Sequence, residues 1–358
     1  MVRPVRVIDT GVRDGRRQIA FDQAVIDLHR DGKVPDTVRF LRFEACALVG
    51  RHQAIGREVK IDYCRQNGIG LVRRITGGGA IYLDPGQVGW ELIVSRRRFP
   101  LPTLQDYTKE ICEAVAAGLS TTFSIDARFR PRNDIEVEGK KLCGTGGFFD
   151  GDTLFYQGTV LLDAPPERIM ACLNVPNDKL RKRRLAAAAD RLTTLTALSG
   201  GKIPDIGTVH SAILSGLKNR FGLDFFTSDP STEEEAVAEK LHAEEIGTDE
   251  FVFSIDDPQA GECCGATLVA PGGTVTAMVR TEGLNDARRI REILLTGDFF
   301  VTPPRIVLDL EAALRGAEVN ALSSEVDRFF ASAKAELLSL TPAEFKAVIN
   351  AAVRVTNA

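Results

Sequence analysis

Two arginines followed closely by a run of bare backbone are the first residues here that could do chemistry: Arg73-Arg74-Ile75-Thr76-Gly77-Gly78-Gly79-Ala80-Ile81-Tyr82-Leu83-Asp84. Three consecutive glycines strip every Cβ from a turn between apolar segments, so backbone N–H groups can approach an anion closely, with guanidinium groups beside them. The pattern reads as a phosphate or carboxylate cradle, with a merely flexible hairpin turn as the alternative. It is not a P-loop, because no Gly-Lys-Ser/Thr follows, nor a dinucleotide fingerprint, because no GxGxxG opens a helix. A second stretch, Arg132-Asn133-Asp134-Ile135-Glu136-Val137-Glu138-Gly139-Lys140-Lys141-Leu142-Cys143-Gly144-Thr145-Gly146-Gly147, sets carboxylates and lysines around a hairpin turn and follows them with small residues. A lysine ammonium there is a compact charge suited to a carboxylate or an α-phosphate, although a lysine near a turn is more often a solvated surface charge.

The elements that must position these residues are legible in outline. Phe21, Ala24, Val25 and Leu28 recur at helical spacing, predicting an amphipathic helix over Gln18 to Leu28. Strands are predicted at Thr37 to Phe43, Ala45 to Val49, Leu71 to Ile75, Ala80 to Tyr82 and Val88 to Val94. A helix from Leu104 to Leu119 precedes Ile135 to Val137, a Glu138-Gly139 turn, Lys141 to Cys143 and, after an Asp150-Gly151 turn, Leu154 to Leu162. Helices follow at Pro165 to Leu173, Ile206 to Phe221 and Ser231 to Glu245, the last with a capping signature. Beyond Gly247 come strands at Phe251 to Ile255, Ala266 to Val269 and Val275 to Val279, then helices at Ala287 to Leu295, Ile306 to Leu314 and Ser323 to Leu338. The expected fold class is α+β, one mixed or antiparallel sheet flanked by helices, with a smaller α+β C-terminal part; the division falls as 1–247 and 248–358.

The chain has 358 residues, 44% hydrophobic and 26% charged, enough for two cores. A formal net charge of -4 gives no bulk attraction to nucleic acid or anionic membrane, so an anionic ligand needs locally placed cations. Seven cysteines without CxxC spacing read as reduced thiols, and Cys263-Cys264 has no nearby partner for a zinc site. His29, His210 and His242 have no evident partners, while His52 stands where it could line a site. With no apolar leader at the start and no membrane-length apolar run, a cytoplasmic location is expected.

Together the motifs resemble the lipoate–protein ligase A family, within the biotin and lipoate ligase superfamily. They are Gly50-Arg51-His52-Gln53, then Arg73 to Asp84, then Arg132-Asn133-Asp134, then Gly139-Lys140-Lys141-Leu142, then Gln157-Gly158-Thr159. The resemblance is strong over residues 15 to 200 and weaker beyond, where it implies a small accessory domain. It implies an enzyme that uses ATP and Mg²⁺ to adenylate lipoate or octanoate and passes the acyl group to a lysine of a lipoyl-acceptor protein. That acceptor would be a lipoyl domain, an H protein or a lipoate-binding protein.

Carried over residue by residue, the resemblance makes Lys141 the catalytic lysine that bridges acyl carboxylate and α-phosphate. Arg74, Gly77, Gly78 and Gly79 would hold the adenylate, with Ala80, Tyr82, Asp84, Gly158 and Thr159 around it. Asn133 and Asp134 would lie by the phosphates, Asp134 helping to hold Mg²⁺. The basic segment with Lys179, Arg183 and Arg191 would cover the adenylate. Val49, Val72, Ala80, Tyr82 and Thr159 are candidate walls for the acyl tail.

Two positions depart from the family pattern: Leu83 and Gln157 stand where histidines are usual. Cys143, where serine is usual, raises a second reading, an ATP-independent acyltransferase with Cys143 or Cys172 as nucleophile. A third is a non-catalytic lipoyl-binding homologue.

Overall fold

The structure, a computed structural model, describes residues 4–163, 166–174, 191–256, 263–284 and 287–355. An eight-stranded mixed sheet forms its centre. In chain order its strands are β1 (Val5–Arg13), β2 (Thr37–Phe43), β6 (Gln87–Ser95), β7 (Ala127–Arg130), β8 (Asp134–Val137), β9 (Lys140–Asp150), β10 (Thr153–Leu161) and β11 (Phe225–Thr227). Their spatial order is β11-β1-β2-β6-β10-β9-β8-β7, parallel where β1 meets β2 and β11 and antiparallel elsewhere. A small sheet of β3 (Cys46–Val49), β4 (Gly70–Arg73) and β5 (Ile81–Leu83) lies beside it in the order β4-β3-β5. The expected α+β class with a mixed sheet holds.

Each face of the large sheet is covered by helices. Trp90, Leu92 and Val94 of β6 pack with α2 (Leu104–Phe123) and α4 (Ile206–Phe221) on one side. On the other, Ile93, Leu41 and Phe155 pack with α1 (Gly15–Arg30) and α5 (Thr232–Glu244), while α3 (Pro166–Cys172) flanks the small sheet. α1 begins with arginines, which its own dipole disfavours. The acidic α5 region offsets this: Arg13 meets Glu235 at 2.7 Å, Arg16 meets Asp249 at 2.8 Å, and Arg17 pairs with Glu239. The Ser231–Glu234 capping box expected of α5 is present.

A separate core begins at β12 (Cys264–Ala270), which pairs through β13 (Gly273–Glu282) with β14 (Arg289–Gly297) and packs against α6 (Ile306–Leu314), α7 (Leu322–Ser332) and α8 (Pro342–Val355). Phe251 and Val252 still pack in the N-terminal cores. Two expectations fail here. Ala287 to Leu295, read as helical, falls largely within β14, because the Ile290, Ile293 and Leu295 side chains complete the sheet face begun by β13. Phe251 to Ile255, read as a strand, forms none: Phe251 and Val252 end a helical turn (Asp249–Val252) capped by the Thr248 side chain. The strand β1 was not foreseen, because Arg6 and Asp9 interrupt its apolar pattern; Arg6 is buried through a pair with Glu234. His29 is held by Thr153 and Asp36, each at 2.8 Å, and His210 stacks on Phe40, so neither lacks partners. Among the described residues no helix is long and apolar enough to cross a membrane.

Candidate active site

The β8–β9 turn builds one wall of the site. Glu138 and Gly139 both take positive φ (52° and 77°), the backbone of a tight type I′ hairpin turn. Immediately after it the ladder slips, for Ile135 pairs with Cys143 whereas Glu136 pairs with Lys141. Strict alternation would put Lys141 and Cys143 on one face. The extra residue of this bulge breaks the alternation. Lys141 therefore borders a cavity of about 470 Å³, and Leu142 and Cys143 turn into the core against α2. Burial pushes the Cys143 thiol up to about 12, the opposite of an activated nucleophile. Cys172 is likewise buried and its thiol raised by burial, and no cysteine lines the cavity among the described residues.

Lys141 Nζ extends over the bare α-carbon of Gly144, where a Cβ would stand 2.6 Å from it. Its ammonium is 2.7 Å from Asp134 Oδ1, an ion pair across the hairpin, while Asp134 Oδ2 pairs with Arg130. The neighbouring Asn133 and Thr145 clasp each other's main chains, Thr145 Oγ1 donating to the Asn133 carbonyl at 2.8 Å. Both carboxylate oxygens of Asp134 thus face cations, and Oδ1 is buried without a hydrogen-bond donor. No group of three or more histidine, cysteine or carboxylate side chains among the described residues is arranged to hold a metal.

The glycine run forms the opposite wall. Arg74 braces it, donating from Nε to the Gly77 carbonyl at 2.9 Å and from Nη2 to those of Gly77 and Gly79 at 2.6 and 2.9 Å. Arg74 Nη1 is buried with no hydrogen-bond partner, and no carboxylate pairs with the guanidinium among the described residues. Burial, with Arg73 adding to it, pulls this guanidinium down to about 9. A buried cation with a free donor at a cavity wall is chemically suited to an anion. Arg73 differs: it is fully buried and donates to the carbonyls of Gly50, Gln53, Phe251, Val252 and Ile255.

The cavity brings together Lys141, Arg74, Gly78, Gly79, Ala80, Tyr82, Asn133, Asp134, Gly158 and Thr159. Gly77 and Asp84 lie off it. Gly77 faces the Phe299 carbonyl, and Asp84 caps its own turn through the Gly86 N–H and borders a neighbouring cleft with Arg168. Val49 and Val72 are core, while Ile19, Leu41, Phe43, Leu48, Leu83 and Ile169 supply the apolar end that sequence reasoning missed. His52 stacks on Phe299 instead of lining the cavity. Lys179 and Arg183 fall outside the described residues. The Arg191 side chain is exposed, but its carbonyl accepts the Lys141 N–H at 2.8 Å and the Thr193 N–H donates to Lys141 at 2.9 Å. Asp298, Phe300 and Ser339 of the C-terminal core close the cavity from outside, contacts for which the local sequence carries no signal.

A cavity lined by Lys141, Arg74 and bare glycines as well as by apolar side chains suits an amphipathic carboxylic acid joined to a phosphate. The family model for the lipoyl protein ligase A/B catalytic domain matches residues 14–218. The chain belongs to this family. Lipoate-protein ligase A subunit 1 of Thermoplasma acidophilum is 26% identical over 246 residues, 66% of this chain and 91% of that one. The octanoyltransferase LipM of Kyrpidia tusciae is 28% identical over 262 residues, 66% of this chain and 94% of that one. The family thus spans lipoate ligases and octanoyltransferases. The crystal structure of P. falciparum LipL1 in complex with lipoate, 14% identical, superposes over 98% of this chain and 99% of that one with a TM-score of 0.74, so the likeness of fold extends through the C-terminal core.

Proposed function

We propose that this member of the family is an ATP-dependent lipoate–protein ligase that adenylates lipoate or octanoate and transfers the acyl group to a lysine of a lipoyl-acceptor protein. The observation that carries the reading is that Lys141 and the unpaired Arg74 guanidinium border one cavity, whereas every candidate thiol is turned away from it. In the first half-reaction a carboxylate oxygen of the acid attacks the α-phosphorus of ATP, and the bond to the bridging oxygen breaks to release pyrophosphate. Bringing two anions together is the main electrostatic obstacle, and fixed cations aimed at the developing charge lower it. Lys141 would leave Asp134 to bridge carboxylate and α-phosphate, and Arg74 Nη1 would take a phosphate or carboxylate oxygen. Mg²⁺ would arrive on the nucleotide, beside Asn133 and Asp134 at the cavity wall. In the second half-reaction the acceptor amine attacks the acyl carbon, AMP departs and the amine proton passes to solvent.

The division into a catalytic part and a C-terminal accessory part belongs to the same reading, with the changeover after Ile255, because Phe251 and Val252 pack with the N-terminal cores. The test is incubation of the purified chain with ATP, Mg²⁺, lipoate and a panel of acceptors, read by intact mass, beside exchange of pyrophosphate into ATP. ATP-dependent mass gain is expected. Acyl transfer from an acylated carrier without ATP, lost in Cys143→Ser, would replace the ligase reading with the transferase one.

A further inference from the structure

The two cations that border the cavity stand on different sheets. Arg74 follows β4 of the small sheet, Lys141 lies on β9 of the large one, and among the described residues no strand of either pairs with a strand of the other. Their separation therefore depends on what fastens the glycine loop. Three glycines in a row have no side chains to hold a shape of their own, so the loop takes its conformation from outside contacts. The Arg74 brace on the Gly77 and Gly79 carbonyls moves with the loop and ties it to nothing else.

Among the described residues, three hydrogen bonds join Thr76 to Gly79 with the rest of the protein. The Arg51 N–H donates to the Thr76 carbonyl at 2.8 Å, but Arg51 belongs to the turn after β3, in the same small sheet. The Gly78 N–H donates to the Phe299 carbonyl at 3.2 Å, which fastens the loop to the C-terminal core. Only the third reaches the large sheet: Gln157 Nε2 of β10 donates to Thr76 Oγ1 at 2.8 Å. Thr76 is 1% exposed, so water cannot replace that donor. Gln157 lies in the middle of β10, paired on one side with Glu91 of β6 and on the other with Gly146 of β9. Two residues along, Thr159 is opposite Gly144, over which Lys141 Nζ extends. From loop to lysine the connection thus runs through one side-chain hydrogen bond and one pair of strands.

We infer, on the reading that Arg74 and Lys141 serve one adenylation site, that Gln157 is a positioning residue, a strut that sets the glycine loop and Arg74 at their distance from Lys141. The tie can be removed from either end of the full-length protein, by Gln157→Leu or by Thr76→Val. Each should lower the kcat of pyrophosphate exchange about tenfold and leave the KM for lipoate within about twofold. The double variant should match the singles within about twofold, because both substitutions remove the same bond. Thr76→Ser keeps the hydroxyl and should keep the wild-type kcat. Without ligands, amide deuterium uptake over residues 74–80 should quicken about fivefold in either single variant and stay unchanged over β9. Circular dichroism checks each fold, and Thr76→Val, which removes a hydroxyl alone, decides if Gln157→Leu does not fold. Unchanged uptake in the folded variants overturns the strut. So does a loss of kcat in Gln157→Leu that Thr76→Val does not share, since Gln157 would then act on substrate directly, and so does a double variant whose loss is the product of the two single losses. A wild-type protein that exchanges no pyrophosphate sinks the ligase reading alone, and deuterium uptake still decides the strut.

Discussion

The ring of Phe300 lies against the α-carbon of Gly146, in a place no Cβ could share, and also presses on Gly78. Beside it the Gly78 N–H donates to the Phe299 carbonyl at 3.2 Å. The bare backbone that could receive an anion is therefore covered by the C-terminal core, and on the ligase reading nucleotide would have to compete with this contact. Phe300→Ala should tighten ATP binding about three- to tenfold by favouring the uncovered state, measured by calorimetry. Weaker binding would instead place the ring in contact with nucleotide.

Among the described residues Lys141 is paired only with Asp134, which keeps Arg130 when the lysine is removed. Lys141→Ala should lower acyl-adenylate formation about a hundred- to thousandfold. Its stability should change by no more than about 0.5 kcal/mol, as for a surface side chain. Pyrophosphate exchange and thermal unfolding, run on one preparation, separate the two effects.

Cys143 faces the core and its thiol is held near 12, so it is not a thiolate at neutral pH. Native protein should leave Cys143 unmodified by iodoacetamide at pH 8, as read by peptide mass, and Cys143→Ala should keep turnover within about twofold. Rapid alkylation of Cys143 with loss of activity would contradict this placement.

Burial, helped by Arg51 and Arg73, holds His52 down at about 3, against 6.5 for an ordinary imidazole. Between those values the unfolded chain binds a proton that the folded chain refuses. Stability should therefore fall as pH drops from about 6.5 toward about 3, by at most about 1.4 kcal/mol per pH unit from this group. His52→Phe keeps a ring on Phe299 and removes the titration. Its unfolding midpoint should depend less steeply on pH across that window than that of the wild type.

The local parts of the site were legible because they are short and chemically marked. The Glu138-Gly139 turn, the glycine run and the lysine after the turn each announce a backbone or a charge within a few residues. Facing of side chains was not legible. A bulge of one residue separates Lys141 from Cys143, and nothing in Lys-Leu-Cys-Gly foretells it. Non-local walls were equally silent: Ile19, Leu41 and Phe300 reach the cavity only once the sheets and the C-terminal core are assembled. The ion pairs of Asp134 were silent for the same reason, because strand pairing is what brings Arg130 and Lys141 to it.

Arg73, knotted to main-chain carbonyls at Gly50, Gln53, Phe251, Val252 and Ile255, makes the outgoing linker part of the foundation of the glycine loop. A pull on the C-terminal core would travel along the main chain to this guanidinium and from there to the loop braced by its neighbour Arg74. Anchorage of the chain that leaves the N-terminal cores and bracing of the glycine loop thus fall to two adjacent residues.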